Sequence, residues 1–174
     1  MTLTDQSTGI REGEELDAAQ IDPYLKAHIP GLTGTPRISQ FPGGASNLTY
    51  LLEYPEQEFV LRRPPFGHKA KSAHDMGREY RILNQLNAGF PYCPKAYVHC
   101  TDESVIGAEF YVMERVNGII LRSELPPELN FDEAQTRALC ESFIDKFVEL
   151  HNVDYQACGL GDLGKPEGYV KRQI

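Results

Sequence analysis

The segment Pro42-Gly43-Gly44-Ala45-Ser46 has the composition of a turn that could bind phosphate. Glycine lacks a Cβ, so Gly43 and Gly44 would let backbone N–H groups approach phosphate oxygens closely. The hydroxyl of Ser46 could donate a further hydrogen bond to the same anion. Two glycines between strands also make an ordinary hairpin turn, so the segment alone leaves both interpretations open.

Basic residues concentrate in one stretch of an otherwise acidic chain, which has 17 basic and 25 acidic residues and a net charge of −8. The stretch contains Arg62, Arg63, Lys69, Lys71, Arg78 and Arg81. A local basic cluster of this kind fits one anionic ligand, whereas nucleic acid requires a concentrated basic face. A solvated loop and helix surface would explain the same charges.

The glycine-rich turn lies within a predicted antiparallel sheet. Alternating apolar residues and turn signals predict five strands, at 37–41, 48–54, 58–62, 95–100 and 108–115. The order of strands and helices predicts an α+β fold, in which a five-stranded antiparallel sheet packs with one long helix.

Three helices are predicted from apolar spacing and capping residues. A short helix would begin with Asp22 as N-cap and Pro23 as its first residue. A second would run over 73–88 and end at Gly89, and a third would follow Asn130 as N-cap and end near residue 152.

The length and composition place the chain in a broad class. At 174 residues it has the size of about one domain, and residues 1–14, which lack apolar periodicity, are predicted to form a disordered tail. The polar, acidic N-terminus and the lack of a long apolar run predict a cytoplasmic location without membrane contact. Four cysteines without zinc spacing and five scattered histidines predict no metal site.

The order of the elements resembles the small lobe of the kinase-like fold. The strand F-V-L-R places Arg62 where protein kinases have the lysine of V-A-I-K, and Glu79 lies early in the next helix. Five segments resemble the aminoglycoside phosphotransferase family still more closely, especially its branch similar to the phosphotransferase-like domains found with acyl-CoA dehydrogenases. These are GGASNLTYLL, FVLRRPPFG, REYRIL, IGAEFYVMERVNG and GLGDLGKPEGYVKRQI, and the resemblance covers residues 15–174.

This resemblance implies a nucleotide site. Arg62 would face the nucleotide on the same strand side as Val60 and hold a phosphate, while Glu79 holds its guanidinium group. Arg63 would point to the opposite face and be solvated. The alternative for Arg62 and Glu79 is a surface ion pair without a ligand.

The resemblance also implies an adenine slot lined by Met113, Glu114 and Val116. The carbonyl of Glu114 and the amide of Val116 would bond the edge of the base. A core strand that runs into a turn is the alternative explanation of these residues. The implied cofactor is ATP or GTP, with Mg²⁺ ligands that lie outside this chain.

The catalytic loop of the family reads roughly H-x-D-x-x-x-x-N, and no segment of this chain matches it. Asp154 follows His151 without the later asparagine, and Asp162 resembles the metal-binding D-F-G motif only superficially. The sequence therefore predicts no catalytic residue in this chain. It predicts a small lobe over 15–116 and, over 117–174, a linker with the start of a truncated helical lobe, so the chain alone should be inactive.

The implied reaction is transfer of the γ-phosphoryl group of ATP or GTP to a hydroxyl of a small molecule, either an aminoglycoside or a hydroxyacyl compound. The alternatives are a non-catalytic kinase-like module that binds nucleotide or a protein partner, and a scaffold without ligand. An apolar stripe on the third helix would favour self-association if nothing covers it. The stripe consists of Leu139, Phe143, Phe147 and Leu150.

Overall fold

A five-stranded antiparallel sheet forms the centre of the chain, as predicted. The computed structural model describes residues 4–43, 47–67, 75–122, 124–164 and 167–173. The strands are β1 (Arg37–Gln40), β2 (Leu48–Glu53), β3 (Glu58–Arg63), β4 (Ala96–Cys100) and β5 (Phe110–Glu114). They lie in the order β1-β2-β3-β5-β4, so β5 is inserted between β3 and the edge strand β4.

Four α-helices surround or follow the sheet. They are α1 (Ala18–His28), α2 (Met76–Leu86), α3 (Glu133–His151) and the short α4 (Tyr169–Gln173). Within the described ranges, every helix is too short or too polar to cross a membrane. The architecture is α+β, which confirms the predicted fold class.

The two faces of the sheet are covered differently. Alternate residues of β2 and β3, such as Tyr50 and Leu61, pack on one face against Ile21 and Leu25 of α1 and form the main core. The other face carries a much smaller buried cluster, formed by Phe41, Leu51 and Val60 with Met113 packed against it. One face is therefore closed by α1, while the other faces α2 and buries a much smaller apolar cluster.

Arg63 is buried, so the prediction that it is solvated is wrong. Its side chain, 2% exposed, lies on the α1 side of the sheet, as strand alternation requires. The guanidinium group donates to the carbonyls of Pro64 (3.2 Å) and Ile106 (3.0 Å) and lies 3.8 Å from the centre of the Phe66 ring. These contacts replace water around the charge and make its burial possible.

The N-terminal segment 4–16 lies against the sheet, which corrects the predicted disordered tail over the part that the structure describes. The backbone of Thr8 exchanges hydrogen bonds with Gln40 at the end of β1, with lengths of 2.7 and 3.1 Å. Gln40 also donates to Glu14 at 2.6 Å. Because these bonds are polar and join distant positions, apolar periodicity could not reveal them.

Helix α1 begins five residues earlier than predicted. Its N-cap is Asp17, whose carboxylate accepts from the backbone of Ala19 at 2.8 Å, and Pro23 lies inside the helix. Asp22 is buried instead and accepts from the hydroxyl of Tyr54 at 3.0 Å. The acidic residue next to the proline therefore joins helix and sheet rather than capping the helix.

Helix α2 is shorter than predicted, and the N-terminal end of the predicted range lies outside the described residues. Asp75 is its N-cap, and Asn87 rather than Gly89 is its C-cap. Gly89 follows in a further turn, where a Cβ would lie 2.9 Å from the sulfur of Cys158. This glycine therefore permits a close approach between two segments instead of ending the helix.

Helix α3 runs to His151 with Asn152 as its C-cap, close to the predicted end. Its N-cap is Asp132, which forms a capping box with Gln135, so the prediction that Asn130 caps the helix is wrong. Asn130 instead adopts a left-handed conformation, with φ of 45°, after a 3-10 turn at Pro127–Leu129.

Candidate functional site

A cleft lies on the open face of the sheet and contains most of the residues that the sequence singled out. One cavity of about 360 Å³ is lined by several residues, including Gly43, Val60, Arg62, Met113, Glu114 and Val116. A second cavity of about 360 Å³ adjoins it, contains Glu79 and shares Arg62, Pro94 and Met113. We refer to the two cavities together as the cleft. Gly44 and Ser46 lie outside the described residues.

Strand alternation and strand register place the side chains of the cleft. Val60 and Arg62 are two residues apart on β3 and therefore point to the same face. In the antiparallel register between β3 and β5, Val60 pairs with Met113 and Arg62 pairs with Tyr111. The cleft thus has an apolar floor at Val60 and Met113 beside a cationic position at Arg62.

Arg62 and Glu79 form an ion pair across the junction between β3 and α2. The Nε atom of Arg62 lies 3.6 Å from Oε2 of Glu79, and the two side chains are 31% and 33% exposed. This confirms the predicted pairing of the two groups on the face that Val60 shares, at a distance within the usual ion-pair limit of about 4 Å. The Nε atom is buried and has no hydrogen-bond partner among the described residues.

Two further residues hold Glu79, and sequence reasoning missed both. The amide of Asn47 donates to Oε1 at 2.8 Å, and the hydroxyl of Tyr111 donates to Oε2 at 2.9 Å. Burial raises the pKa of Tyr111 above its ordinary value, against the opposing effect of Arg62, so the phenol remains a neutral donor. One sequence signal exists for Asn47, which directly follows the glycine-rich turn.

The segment after β5 forms the outer edge of the cleft. The backbone N–H of Glu114 donates to the carbonyl of Lys95 at 2.8 Å, and the Glu114 carboxylate accepts from the backbone of Lys95 at 3.1 Å. The side chain of Val116 is exposed at this edge. Lys95 thus fixes the end of β5, while the predicted bonds of Glu114 and Val116 to a base remain a prediction.

Two arginines lie at the same outer edge, where they contact the N-terminal segment. Arg115 donates to the carbonyl of Asp5 at 2.9 Å, and Arg122 donates to its carboxylate at 3.3 Å. Arginine side chains therefore lie at both ends of the cleft, and a carboxylate accompanies them at each end, Glu79 beside Arg62 and Asp5 beside Arg122.

Asp162 lies in an ion pair that joins two segments. Its carboxylate accepts from the guanidinium group of Arg81 on α2 at 2.9 Å, and this bond holds the pKa of Asp162 below its ordinary value. Arg81 also donates to the carbonyl of Gly159 at 2.7 Å. In the part of the chain that the structure describes, no three His, Cys, Asp or Glu side chains are grouped to hold a metal ion.

Comparison with known proteins decides the family. Residues 37–174 match the sequence profile of the phosphotransferase enzyme family. The chain belongs to this phosphotransferase family. The resemblance seen in the sequence is thereby confirmed.

Curated relatives of this phosphotransferase domain carry dehydrogenase names. Acyl-CoA dehydrogenase family member 11 of Rattus norvegicus is 34% identical over 179 residues, which cover 100% of this chain and 23% of that protein. The human protein of the same name is 36% identical over 165 residues and covers 92% and 21%. The chain thus spans about a fifth of the length of these relatives.

A solved structure shares the fold of this phosphotransferase domain. It is the crystal structure of a protein from Ralstonia eutropha JMP134 that is provisionally named an aminoglycoside phosphotransferase. The TM-score is 0.78 and the identity is 36%, over 91% of this chain and 45% of that one. The agreement confirms the α+β architecture that positions the cleft.

Proposed function

We propose that this chain is the nucleotide-binding part of a phosphotransferase that moves the γ-phosphoryl group of ATP or GTP to a hydroxyl of a small molecule. One observation carries the proposal. Among the described residues, the Nε–H group of Arg62 is buried without a hydrogen-bond acceptor, and the Arg62 side chain lines both cavities of the cleft. A buried, unsatisfied donor on a cation is costly, and an anionic ligand would remove that cost.

The remaining residues of the cleft fit the other parts of a nucleotide. Val60 and Met113 offer an apolar surface for a purine ring, next to the edge at Glu114 and Val116. The glycine-rich turn that begins at Gly43 would bring backbone N–H groups to the phosphates. Each cavity has a size within the range of roughly 300–1,000 Å³ that is usual for small-molecule sites.

The chain would contribute positioning and charge neutralisation to the reaction. In phosphoryl transfer the protein mainly orients the phosphates and stabilises their negative charge. Arg62 would hold an α- or β-phosphate oxygen, and Glu79 would keep the guanidinium group directed into the cleft. A magnesium ion, when bound, would supply further positive charge to neutralise the phosphates, and we propose that its protein ligands lie outside the residues that the structure describes.

The acceptor is proposed from the names that the relatives carry. The solved relative is named for aminoglycosides, and the curated relatives are named for acyl-CoA dehydrogenases. We therefore propose a small hydroxyl compound, with a hydroxyacyl compound as suitable as an aminoglycoside. The residues of the cleft itself do not select between these acceptors.

Equilibrium binding tests the nucleotide site. ATP, GTP and adenosine are titrated into the wild-type chain and the Arg62→Ala variant in a calorimeter. We expect the variant to bind ATP about 10- to 100-fold more weakly, because a charge-assisted hydrogen bond is lost, and to bind adenosine unchanged.

Arg37→Ala is the matched control for this experiment. Arg37 also forms an ion pair with a glutamate, at 2.8 Å from Glu53, but it lies on β1 and is 77% exposed. Its loss should leave ATP binding unchanged. Failure of the wild-type chain to bind either triphosphate would overturn the proposed function.

A further inference from the structure

The carboxylate of Glu79 accepts hydrogen bonds from two neutral donors, one on each oxygen. Asn47 precedes β2 directly and donates to Oε1, while Tyr111 on β5 donates to Oε2. Both donors are deeply buried, with 4% and 1% exposure. Together with Arg62 on β3, three segments of the chain converge on one carboxylate of α2.

These hydrogen bonds fix the side of α2 that faces β3, whereas other contacts of the helix lie elsewhere, at Arg81 with Asp162 and at Tyr80 with His99. Met76, at its first turn, is the one residue of Met76–Leu86 that is buried. Glu79 follows one turn later and brings its two hydrogen bonds to the sheet. The position of its carboxylate is therefore fixed by Asn47 and Tyr111, and not by tight apolar packing of the helix.

The hydrogen bonds from Asn47 and Tyr111 keep the Glu79 carboxylate from forming a hydrogen bond with Nε of Arg62. Oε2 accepts from the Tyr111 hydroxyl at 2.9 Å but lies 3.6 Å from Nε of Arg62, which is beyond hydrogen-bond distance. The carboxylate therefore attracts the guanidinium group without using its Nε–H donor. A closer pair would use that donor and compete with a phosphate for it.

We propose that Asn47 and Tyr111 are positioning residues of the nucleotide site. They hold the Glu79 carboxylate at a distance that orients Arg62 and leaves its Nε–H group without a hydrogen bond to that carboxylate, and so available to phosphate. This inference rests on the proposed nucleotide site. It assigns the availability of Arg62 to two residues that act through the Glu79 carboxylate.

Tyr111→Phe tests the inference, because it removes one hydroxyl and keeps the ring. Without that hydroxyl, Oε2 can close on Arg62 and compete with the ligand. We expect ATP to bind about tenfold more weakly, as for the loss of one hydrogen bond to a charged group, and adenosine to bind unchanged. Calorimetric titration measures both affinities, and urea unfolding verifies that the variant is folded.

Tyr50→Phe is the matched control. Tyr50 is also fully buried and its hydroxyl also donates one short hydrogen bond, to the carbonyl of Glu14 at 2.7 Å, but on the opposite face of the sheet. The Tyr50→Phe variant should have a lower free energy of unfolding than the wild-type chain and the same affinity for ATP. Asn47→Ser, whose side chain is too short to reach Oε1, is the second test variant and should weaken ATP binding in the same selective way.

A double-mutant cycle then asks whether Tyr111 acts through Glu79. In a Glu79→Gln background, Tyr111→Phe should cause no further loss of ATP affinity, since the competing charge is already gone. Equal losses for ATP and adenosine would show a merely structural role and overturn the inference. If the wild-type chain binds ATP but the Tyr111→Phe and Tyr50→Phe variants bind ATP with equal affinity, this inference alone is overturned. If the wild-type chain binds no nucleotide, the proposed function is overturned as well.

Discussion

Two consecutive arginines of β3 have identical side chains but lie on opposite faces of the sheet, in different environments. Arg62 faces the cleft beside Glu79, and Arg63 is buried on the face that α1 covers. Burial lowers the pKa of Arg63, yet an arginine stays charged in proteins. The buried charge is tolerated because two carbonyls accept from its guanidinium group, whose planar geometry can reach both while it stacks on Phe66.

Replacement of Arg63 by lysine should therefore destabilise the chain although it keeps the charge. An ammonium group cannot donate to both carbonyls and stack on the ring, so we expect the free energy of unfolding to fall by about 1–3 kcal/mol. Urea unfolding of Arg63→Lys measures this loss. Arg37→Lys, at an exposed position, should change stability by less than about 0.5 kcal/mol, and equal midpoints for the two variants would contradict the role given to Arg63.

The residues of the site that could be predicted from the sequence are those whose positions follow from local patterns along the chain. Alternation along β3 placed Val60 and Arg62 on one face, and the resemblance to the kinase-like fold implied Glu79, in the next helix, as the partner of Arg62. Tyr111 could not be assigned in this way, because its place beside Arg62 depends on β5 pairing with β3 across almost 50 intervening residues. The donor role of Asn47 depends on the same kind of long-range contact.

At the scale of whole elements, the N-terminal segment and α1 close one face of the sheet. Glu14 joins this segment to the sheet through a hydrogen bond from Gln40 at 2.6 Å, and its carboxylate also accepts from Arg11 of the same segment at 2.7 Å. Tyr50 on β2 adds a third bond, to the Glu14 carbonyl. The five strands were predictable because alternation is a local pattern, whereas this segment is held by polar contacts between distant positions.

The contact at Glu14 should make stability depend on pH. Its hydrogen bonds with Gln40 and Arg11 hold the pKa of Glu14 below the ordinary value of 4.5. A lowered pKa in the folded state means that the carboxylate stabilises the fold above that ordinary value, and the contribution is lost as the pH falls through the lowered value. We expect Glu14→Gln to lower the free energy of unfolding by about 0.5–1 kcal/mol at neutral pH, because partial exposure weakens the contact.

Urea unfolding at a series of pH values measures this effect. The difference between the wild-type chain and Glu14→Gln should shrink as the pH falls below the ordinary value for a glutamate, because protonated Glu14 resembles glutamine. Glu15→Gln removes the same charge from an exposed neighbour and is the control. A difference that stays constant over the whole pH range would exclude a charged contact at Glu14.

At the scale of the whole molecule, apolar surface is unevenly covered. The α1 face of the sheet is closed by a continuous core, whereas α3 presents large apolar side chains to solvent. Its exposed apolar residues include Phe143, Ile144, Phe147 and Val148. Of the predicted stripe, Phe143 and Phe147 are exposed, whereas Leu139 and Leu150 are half-buried, which the apolar spacing alone could not show.

The exposed face of α3 leads us to expect that the chain self-associates. Phe143 is 66% exposed and Phe147 is 49% exposed, and their rings stack with centres 6.2 Å apart, so they form a single apolar patch. Phe147→Glu should lower the fraction of associated chains severalfold at tens of micromolar, because association would bury the new charge. Analytical ultracentrifugation over a range of concentrations measures this fraction.

Ala138→Glu adds the same charge half a turn around the helix axis, at nine residues of 100° each, and should leave association unchanged. A wild-type chain that remains monomeric over this range would contradict the expectation, and equal losses for both variants would place the contact elsewhere than on this patch.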